Sequence, residues 1–247
     1  MIMKGRFAGA LIVLVLCLGI VFQACAETGL EGFRVRHGDP ESKKIAITMD
    51  DVNEREWVWK AVELCRQYGI TMTFFPNGRN ILDEDADGWR DVVASGCEIG
   101  SHGYDHTSLK NVPDRALMFW LLGKTQETLD RVLGYHYQIR WYRPPYGVME
   151  DSNGGDSHYR TLRKFGYDHA MLWTVSQQNA EEAFQRVSNG SILLFHARKT
   201  DYLGLTELIP MLLEAGYEPV TLSEMFGFDP PETGEELYVY HKEDYLE

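Results

Sequence analysis

The run Lys44-Ile45-Ala46-Ile47-Thr48-Met49-Asp50-Asp51 decides the fold, because an apolar strand pattern ends in two adjacent carboxylates. A short apolar run rich in β-branched residues is typical of a buried strand in a parallel sheet. Two neighbouring carboxylates repel each other and lose hydration on burial, so the pair is costly unless a cation or a proton lies between them. We therefore predict that one carboxylate binds a metal while the other handles a proton.

Similar apolar runs recur along the chain, and amphipathic helical stretches separate them. Further strands are predicted over residues 71–75, 97–101, 139–142, 169–173, 191–195 and 218–221. Helices are predicted over residues 57–68, 89–95, 113–133, 160–165, 180–187 and 205–215. This alternation predicts an α/β protein with a parallel sheet, and about seven strands suffice to close or nearly close a barrel.

The 247 residues are expected to form one main domain with short additions at both ends. Residues 1–25 place two basic residues before an apolar run, which indicates an export signal, so the folded part is predicted to lie outside the cytoplasm. Cleavage and release, lipidation of Cys25 and retention as a membrane anchor all remain open. We assign residues 26–43 to a lead-in, 44–227 to the catalytic domain and 228–247 to an acidic tail.

Charge and cysteine content exclude several classes of protein. The formal net charge of −13 provides no basic footprint for nucleic acid. The absence of a C-x-x-C pair argues against a zinc ribbon. Cys65 and Cys97 are interpreted as two packed thiols, with a single disulfide as the alternative.

Polar residues follow several of the predicted strands, where α/β barrels gather their active sites. His102 and His106 are four residues apart and, together with Asp51, make a two-histidine, one-carboxylate set with open coordination positions. Zinc, cobalt, manganese or iron suits such a set. Two histidines at this spacing are by themselves a weak signal, and the aspartate pair is what favours a metal site.

Four stretches, in this order, resemble successive motifs of the NodB-type polysaccharide deacetylases, which are family-four carbohydrate esterases. They are Thr48-Met49-Asp50-Asp51, Ser101-His102-Gly103-Tyr104-Asp105-His106, Arg143-Pro144-Pro145-Tyr146-Gly147 and Leu193-Leu194-Phe195-His196. The resemblance extends over about residues 44–227. It implies a distorted (β/α)7 barrel whose divalent metal activates water to hydrolyse an acetamide on an amino sugar.

The resemblance also implies a role for each matching residue. Asp50 would be the general base, His196 the general acid for the departing amine, and Asp51, His102 and His106 the metal ligands. Arg143 would orient the base, and the backbone N–H of Tyr146 would donate to the oxyanion. We further assign Pro145, Trp173 and Leu194 to substrate contact, because aromatic and aliphatic walls suit sugar rings and an acetyl methyl group.

One segment departs from the family pattern. The family commonly carries Asp-x-x-Asp-Trp after the fifth strand, with an acid that supports the catalytic histidine, whereas residues 173–180 read WTVSQQNA. Loss of that carboxylate is expected to lower the pKa of His196 and to weaken its orientation. Glu181, Glu182 and Asp201 are the candidates to replace it.

These observations predict a metal-dependent enzyme that removes N-acetyl groups from an extracytoplasmic glycan, such as peptidoglycan, a chitin-like polymer or an exopolysaccharide. One alternative is a hydrolase of the same fold that acts on an O-acetyl ester or another amide. Another is a catalytically weakened surface domain that binds glycan. The presence of Asp50, Arg143 and His196 together counts against a pure binding domain, which needs none of them.

Overall fold

The computed structural model of the protein describes residues 30–112, 115–150, 153, 155, 157–241 and 243. The predicted export signal and Cys25 lie outside these residues. Among the helices that are described, none combines the length and the apolar character needed to span a bilayer.

Each predicted strand and helix is present, and most ends differ by one to three residues. The exception is the helix predicted over residues 205–215, which begins six residues earlier, at Lys199. The strands are β1 (Arg34–Val35), β2 (Lys44–Asp51), β3 (Thr73–Pro76), β4 (Glu98–Ile99), β5 (His136–Tyr137), β6 (Trp141–Tyr142), β7 (His169–Met171), β8 (Ile192–His196), β9 (Glu218–Val220) and β10 (Thr233–Gly234). The helices are α1 (Leu30–Phe33), α2 (Glu56–Tyr68), α3 (Ala86–Ala94), α4 (Arg115–Leu133), α5 (Ser157–Phe165), α6 (Ala180–Phe184), α7 (Lys199–Glu214) and α8 (Leu222–Phe226).

Parallel pairing closes the strands into a distorted barrel, as predicted. One sheet has the order β4-β3-β2-β8, with β9 paired to the start of β2, and a second has the order β1-β7-β6. Two isolated parallel bridges, Ser101 with Tyr142 and Val175 with Leu193, join the sheets. The lead-in also contributes to the barrel, because β1 pairs with β7 and Phe33 is fully buried.

The central strand β2 carries the two aspartates of the candidate site at its carboxyl end. It lies between β3 and β8, and only its first and last residues are partly exposed. Burial on both faces explains its nearly continuous apolar run. Asp50 and Asp51 therefore occupy the carboxyl end of the most enclosed strand, at the edge where the other parallel strands of the barrel also end.

The segment that follows Phe228 packs along α4. Residues Thr233–Gly234 pair antiparallel with His136–Tyr137, and the backbone N–H of Tyr238 donates to Oδ2 of Asp130 at 2.8 Å. Asp130 is fully buried and also accepts hydrogen bonds from the Gln126 amide, the backbone N–H of Tyr137 and Nδ1 of His136. One carboxylate thus joins α4, β5 and the C-terminal segment.

Replacing Asp130 with alanine is expected to lower the free energy of unfolding by about 2–4 kcal/mol, because each buried donor left without an acceptor costs roughly 1–3 kcal/mol. Chemical denaturation measures the change. Asp229→Ala, which removes an exposed carboxylate of the same segment, is the matched control and should change stability by less than about 0.5 kcal/mol. Equal effects of the two substitutions would contradict the role given to Asp130.

Candidate functional site

A carboxylate and two imidazoles meet at the carboxyl end of β2. Oδ1 of Asp51 lies 3.5 Å from Nε2 of His102 and 3.4 Å from Nε2 of His106. The three ligand atoms all fall within 4.8 Å of one another. This spacing and donor set fit a divalent transition metal, with room for further ligands.

The environment of His102 suits a metal ligand. Its Nδ1 lies 2.8 Å from the backbone oxygen of Arg143, and because that oxygen can only accept, Nδ1 carries the proton. Nε2 is thereby left with its lone pair facing Asp51, which is the usual arrangement behind a histidine ligand. Burial lowers the pKa of His102, so the ring stays neutral and able to donate electrons to a cation.

Two asparagines that follow β3 contact Asp51 through their side-chain amides. The side-chain amide of Asn80 donates to the backbone oxygen of Asp51 at 2.9 Å, and that of Asn77 lies 3.4 Å from Oδ1. Neither residue was among the predicted site residues. Asn77 directly follows β3, so its position at a strand end was the signal that could have identified it.

Backbone strain is concentrated around these groups. Within the described part of the chain, the non-glycine residues with positive φ are Asp51 (68°), Val52 (58°), His106 (64°) and Tyr146 (62°). Such conformations cost of order 1–3 kcal/mol each and persist only where the surroundings enforce them. The positive φ is most unusual at Val52, because β-branched residues rarely adopt this conformation. The strained residues lie at the carboxyl end of β2, in the loop of residues 101–106 (the histidine loop) and in the turn of residues 144–147 (the Tyr146 turn).

Asp50 faces a different partner from Asp51, although the two are adjacent. Its side chain is almost fully buried, with Oδ1 2.8 Å from Nη1 of Arg143 and Oδ2 3.8 Å from Nε2 of His102. One oxygen is therefore paired with a cation, while the other points towards the candidate metal ligands. This geometry leaves Oδ2 available to accept a proton beside the candidate metal position.

Arg143 is itself held rigidly. Its guanidinium is completely buried and also donates to the Thr48 hydroxyl at 2.6 Å and to the backbone oxygens of Met171 and Leu172. It lies 4.3 Å above the centre of the Phe75 ring. Burial lowers the pKa of Arg143 and Asp50 opposes that shift, but an arginine stays charged in a protein.

The Tyr146 turn lies over the histidine loop. The Tyr146 ring is 68% exposed and meets His106 edge to face, with ring centres 4.6 Å apart. Gly147 packs so closely on Trp173 that a Cβ would be 3.2 Å from the indole. Of the residues assigned to substrate contact, Trp173 is partly exposed beside this turn, whereas Pro145 and Leu194 are largely buried.

His196 ends β8 and is paired in register with Asp50. Its Nδ1 lies 3.4 Å from Oδ2 of Asp201, and its backbone N–H donates to the same oxygen at 2.7 Å. The hydrogen bond to Asp201 raises the pKa of His196, although burial acts in the opposite direction. The expected decrease in this pKa is therefore wrong, because the first turn of α7 brings a carboxylate to the histidine. Glu181 and Glu182 are exposed on α6.

An aromatic pair next to the histidine loop was also not predicted. The rings of Tyr104 and Trp120 are 5.3 Å apart, and Trp120 is 36% exposed on α4 between buried neighbours. Such a surface suits the apolar face of a sugar ring. The sequence carries no signal for it, since a tryptophan within an apolar helical pattern is more often a core residue.

Comparison with known proteins supplies the family. The sequence profile described as "Polysaccharide deacetylase" matches residues 37–168. A peptidoglycan-N-acetylglucosamine deacetylase of Bacillus cereus is 27% identical over 213 residues, covering 80% of this chain and 74% of that protein.

Solved structures give the same architecture. A family 4 carbohydrate esterase from Bacillus anthracis superposes with a TM-score of 0.66 at 25% identity, covering 79% of this chain and 88% of that one. A family 4 pseudoenzyme from Bacillus anthracis superposes with a TM-score of 0.67 at 22% identity, covering 78% and 68%. The latter likeness shows the fold alone. With its barrel and the profile match over more than half of its length, the chain belongs to the polysaccharide deacetylase family, the family-four carbohydrate esterases.

Proposed function

We propose that the protein is a metal-dependent hydrolase that removes N-acetyl groups from amino sugars of an extracytoplasmic polysaccharide. The observation that supports this most directly is the division of the aspartate pair. Asp51 lies with two histidines in a geometry that fits a metal, while the neighbouring Asp50 is bound to a buried arginine with one oxygen left over. A site built only to bind glycan needs no such division.

Zinc, or else cobalt, manganese or iron, would be held by Asp51, His102 and His106. Bound there, such a cation would polarise the acetyl carbonyl and lower the pKa of a water molecule. The hard part of amide hydrolysis is the poor nitrogen leaving group, so charge stabilisation and proton transfer are both required.

The protein's own residues would carry the proton transfers. Oδ2 of Asp50 would take the proton of the attacking water, while Arg143 holds the other oxygen and fixes the orientation of the carboxylate. The backbone N–H of Tyr146 would donate to the oxyanion of the tetrahedral intermediate. His196, one third exposed at the end of the adjacent strand, would protonate the leaving nitrogen.

Peptidoglycan is the substrate class that the comparisons favour, since the Bacillus cereus relative is named for its N-acetylglucosamine. Action on a cell-wall polymer agrees with the predicted export signal, whether the protein is released or anchored. The partly exposed rings of Trp173 and Trp120 would offer apolar surfaces for the sugar rings of such a glycan.

Acetate release tests the proposal. The purified protein, supplied with zinc, cobalt or manganese, is offered N-acetylglucosamine oligomers, peptidoglycan fragments, acetylated xylan and a chromogenic acetate ester. We expect metal-dependent acetate release from the N-acetylated glycans, reduced by at least about 100-fold in Asp50→Asn because the base is lost. Turnover of esters alone would favour the ester hydrolase. No turnover with retained binding to insoluble glycan would favour the weakened binding domain.

Metal binding separates the two aspartates. Titration calorimetry with Zn²⁺ should show about one site per chain in the wild type and in Asp50→Asn, and none of comparable affinity in Asp51→Ala, which loses a ligand. At a zinc concentration of 100 times Kd, the metal should stabilise the first two proteins by about 2.7 kcal/mol, measured as a higher Tm. Loss of zinc in Asp50→Asn with retention in Asp51→Ala would overturn the assignment.

Arg143→Lys tests whether the guanidinium fork is required. Lysine keeps the charge but cannot reach Asp50, Thr48 and two backbone oxygens at once, so the base should lose its orientation. We expect kcat to fall by about 10–100-fold, as is typical when the partner of an active-site group is lost. Arg66→Lys, on the exposed surface of α2, is the matched control. Wild-type kcat in Arg143→Lys would contradict the positioning role.

A further inference from the structure

We propose that Asp201 is the positioning residue for His196, so that α7 supplies the carboxylate that completes the acid side of the site. The inference rests on the proposed deacetylase function and goes further, since it names a residue that acts through another. It follows from the contacts around one buried carboxylate, from the packing of α7 and from the position of the other acids nearby.

The carboxylate of Asp201 is fully buried, and each oxygen has its own set of partners. Oδ2 accepts the backbone N–H of His196 at 2.7 Å and lies 3.4 Å from Nδ1 of the same residue. Oδ1 accepts Nε of Arg198 at 2.7 Å and the Thr200 hydroxyl at 3.2 Å. Burial alone would raise the pKa of Asp201, but the bonds from His196 and Arg198 outweigh burial and lower it, so the residue carries a full negative charge.

The contact to Nδ1 is long for a hydrogen bond, whereas the contact to the backbone N–H is short. Active-site hydrogen bonds are often loose before the substrate binds and tighten in the complex. Because the carboxylate of Asp201 accepts the backbone N–H of His196, it is held close to the ring of that residue. It therefore favours the tautomer with a proton on Nδ1 and leaves Nε2 for the substrate.

The packing of α7 explains why this helix can reach the site. Gly204, one turn after Asp201, lies against the backbone of Gln178 so closely that a Cβ would be 2.0 Å from the Gln178 oxygen. The 173–180 segment thus packs directly on the face of α7 that carries Asp201. Without this glycine the helix would be pushed outwards, together with its carboxylate.

Other candidate partners for His196 are capping a helix or exposed to solvent. Asn179 caps α6, where its side chain accepts the backbone N–H of Glu182 at 3.0 Å. Glu181 and Glu182 are exposed in the first turn of that helix. Within the described residues, Asp201 is the carboxylate in hydrogen-bonding contact with the His196 ring.

The step in which Asp201 takes part is a proton transfer. As the tetrahedral intermediate collapses, the carbon–nitrogen bond breaks, its electron pair stays on nitrogen, and Nε2–H of the His196 imidazolium gives its proton to that nitrogen. The ring becomes neutral with the remaining proton on Nδ1, directed at Asp201. The carboxylate stays ionised throughout and stabilises the imidazolium by its charge.

The test compares leaving groups. Amide cleavage needs an acid at nitrogen, whereas an aryl acetate expels a stable phenolate without one. Asp201→Asn should lower kcat for the N-acetylated glycan by about 10–100-fold with KM little changed, and should lower kcat for the aryl acetate by less than about threefold. Asp201→Glu should restore part of the lost amide turnover. Glu207→Gln, which neutralises an exposed acid on α7, is the matched control.

A spectroscopic measurement avoids any dependence on turnover. The ¹⁵N spectrum of His196 should show the Nδ1–H tautomer in the wild type and its loss in Asp201→Asn. Equal loss of amide and ester turnover, or an unchanged tautomer, would overturn the inference and leave Asp201 a purely structural residue. A wild-type protein that cleaves no substrate would instead refute the proposed function.

Discussion

The ion pair between Arg143 and Asp50 is the interaction on which the site and much of the barrel depend. The guanidinium is buried completely and contacts β2, β3 and β7, so a charge lies where an α/β barrel normally packs apolar side chains. Burying an ion costs several kcal/mol unless it is paired and hydrogen-bonded. Both conditions hold here, because Asp50 pairs with the guanidinium and Thr48 and two backbone oxygens accept its remaining hydrogen bonds. The same contact would also orient Asp50 in its proposed role as a base.

The pair also explains how two adjacent carboxylates can coexist at the end of one strand. Asp50 is directed towards a cation of the protein, and Asp51 towards two imidazoles that are suited to a cation from solution. The positive φ of Asp51 and Val52 turns the chain sharply enough to separate the two side chains. The strained turn therefore places the two carboxylates in different environments.

A buried acid at the opposite end of the barrel provides a useful contrast. Glu98 begins β4 and accepts hydrogen bonds from Thr73, Trp141 and Ser223. Burial raises its pKa, and its hydrogen bonds link β3, β6 and α8. The two ends of the strands differ as expected for α/β barrels, where the amino-terminal end serves stability and the carboxyl-terminal end serves chemistry.

The sequence alone determined the alternation of strands and helices, the carboxyl ends at which polar residues gather, and the candidate metal ligands. These features are local: apolar periodicity reports burial, and a polar residue directly after a buried strand stands out from it. Asn77 also directly follows a buried strand, so the same pattern could have identified it as a site residue.

Only the tertiary structure decided the partners. The pairing of β1 with β7, the attachment of the C-terminal segment to Asp130 and the contact of Trp120 with Tyr104 all join residues that are far apart along the chain. The clearest case is His196, whose pKa rises although the acidic motif expected near residues 173–180 is missing. Its carboxylate is only five residues away in sequence, yet its reach depends on the start of α7 and on the close packing at Gly204. Periodicity predicts that a helix exists, but the direction in which its first turn points is decided by what the helix packs against.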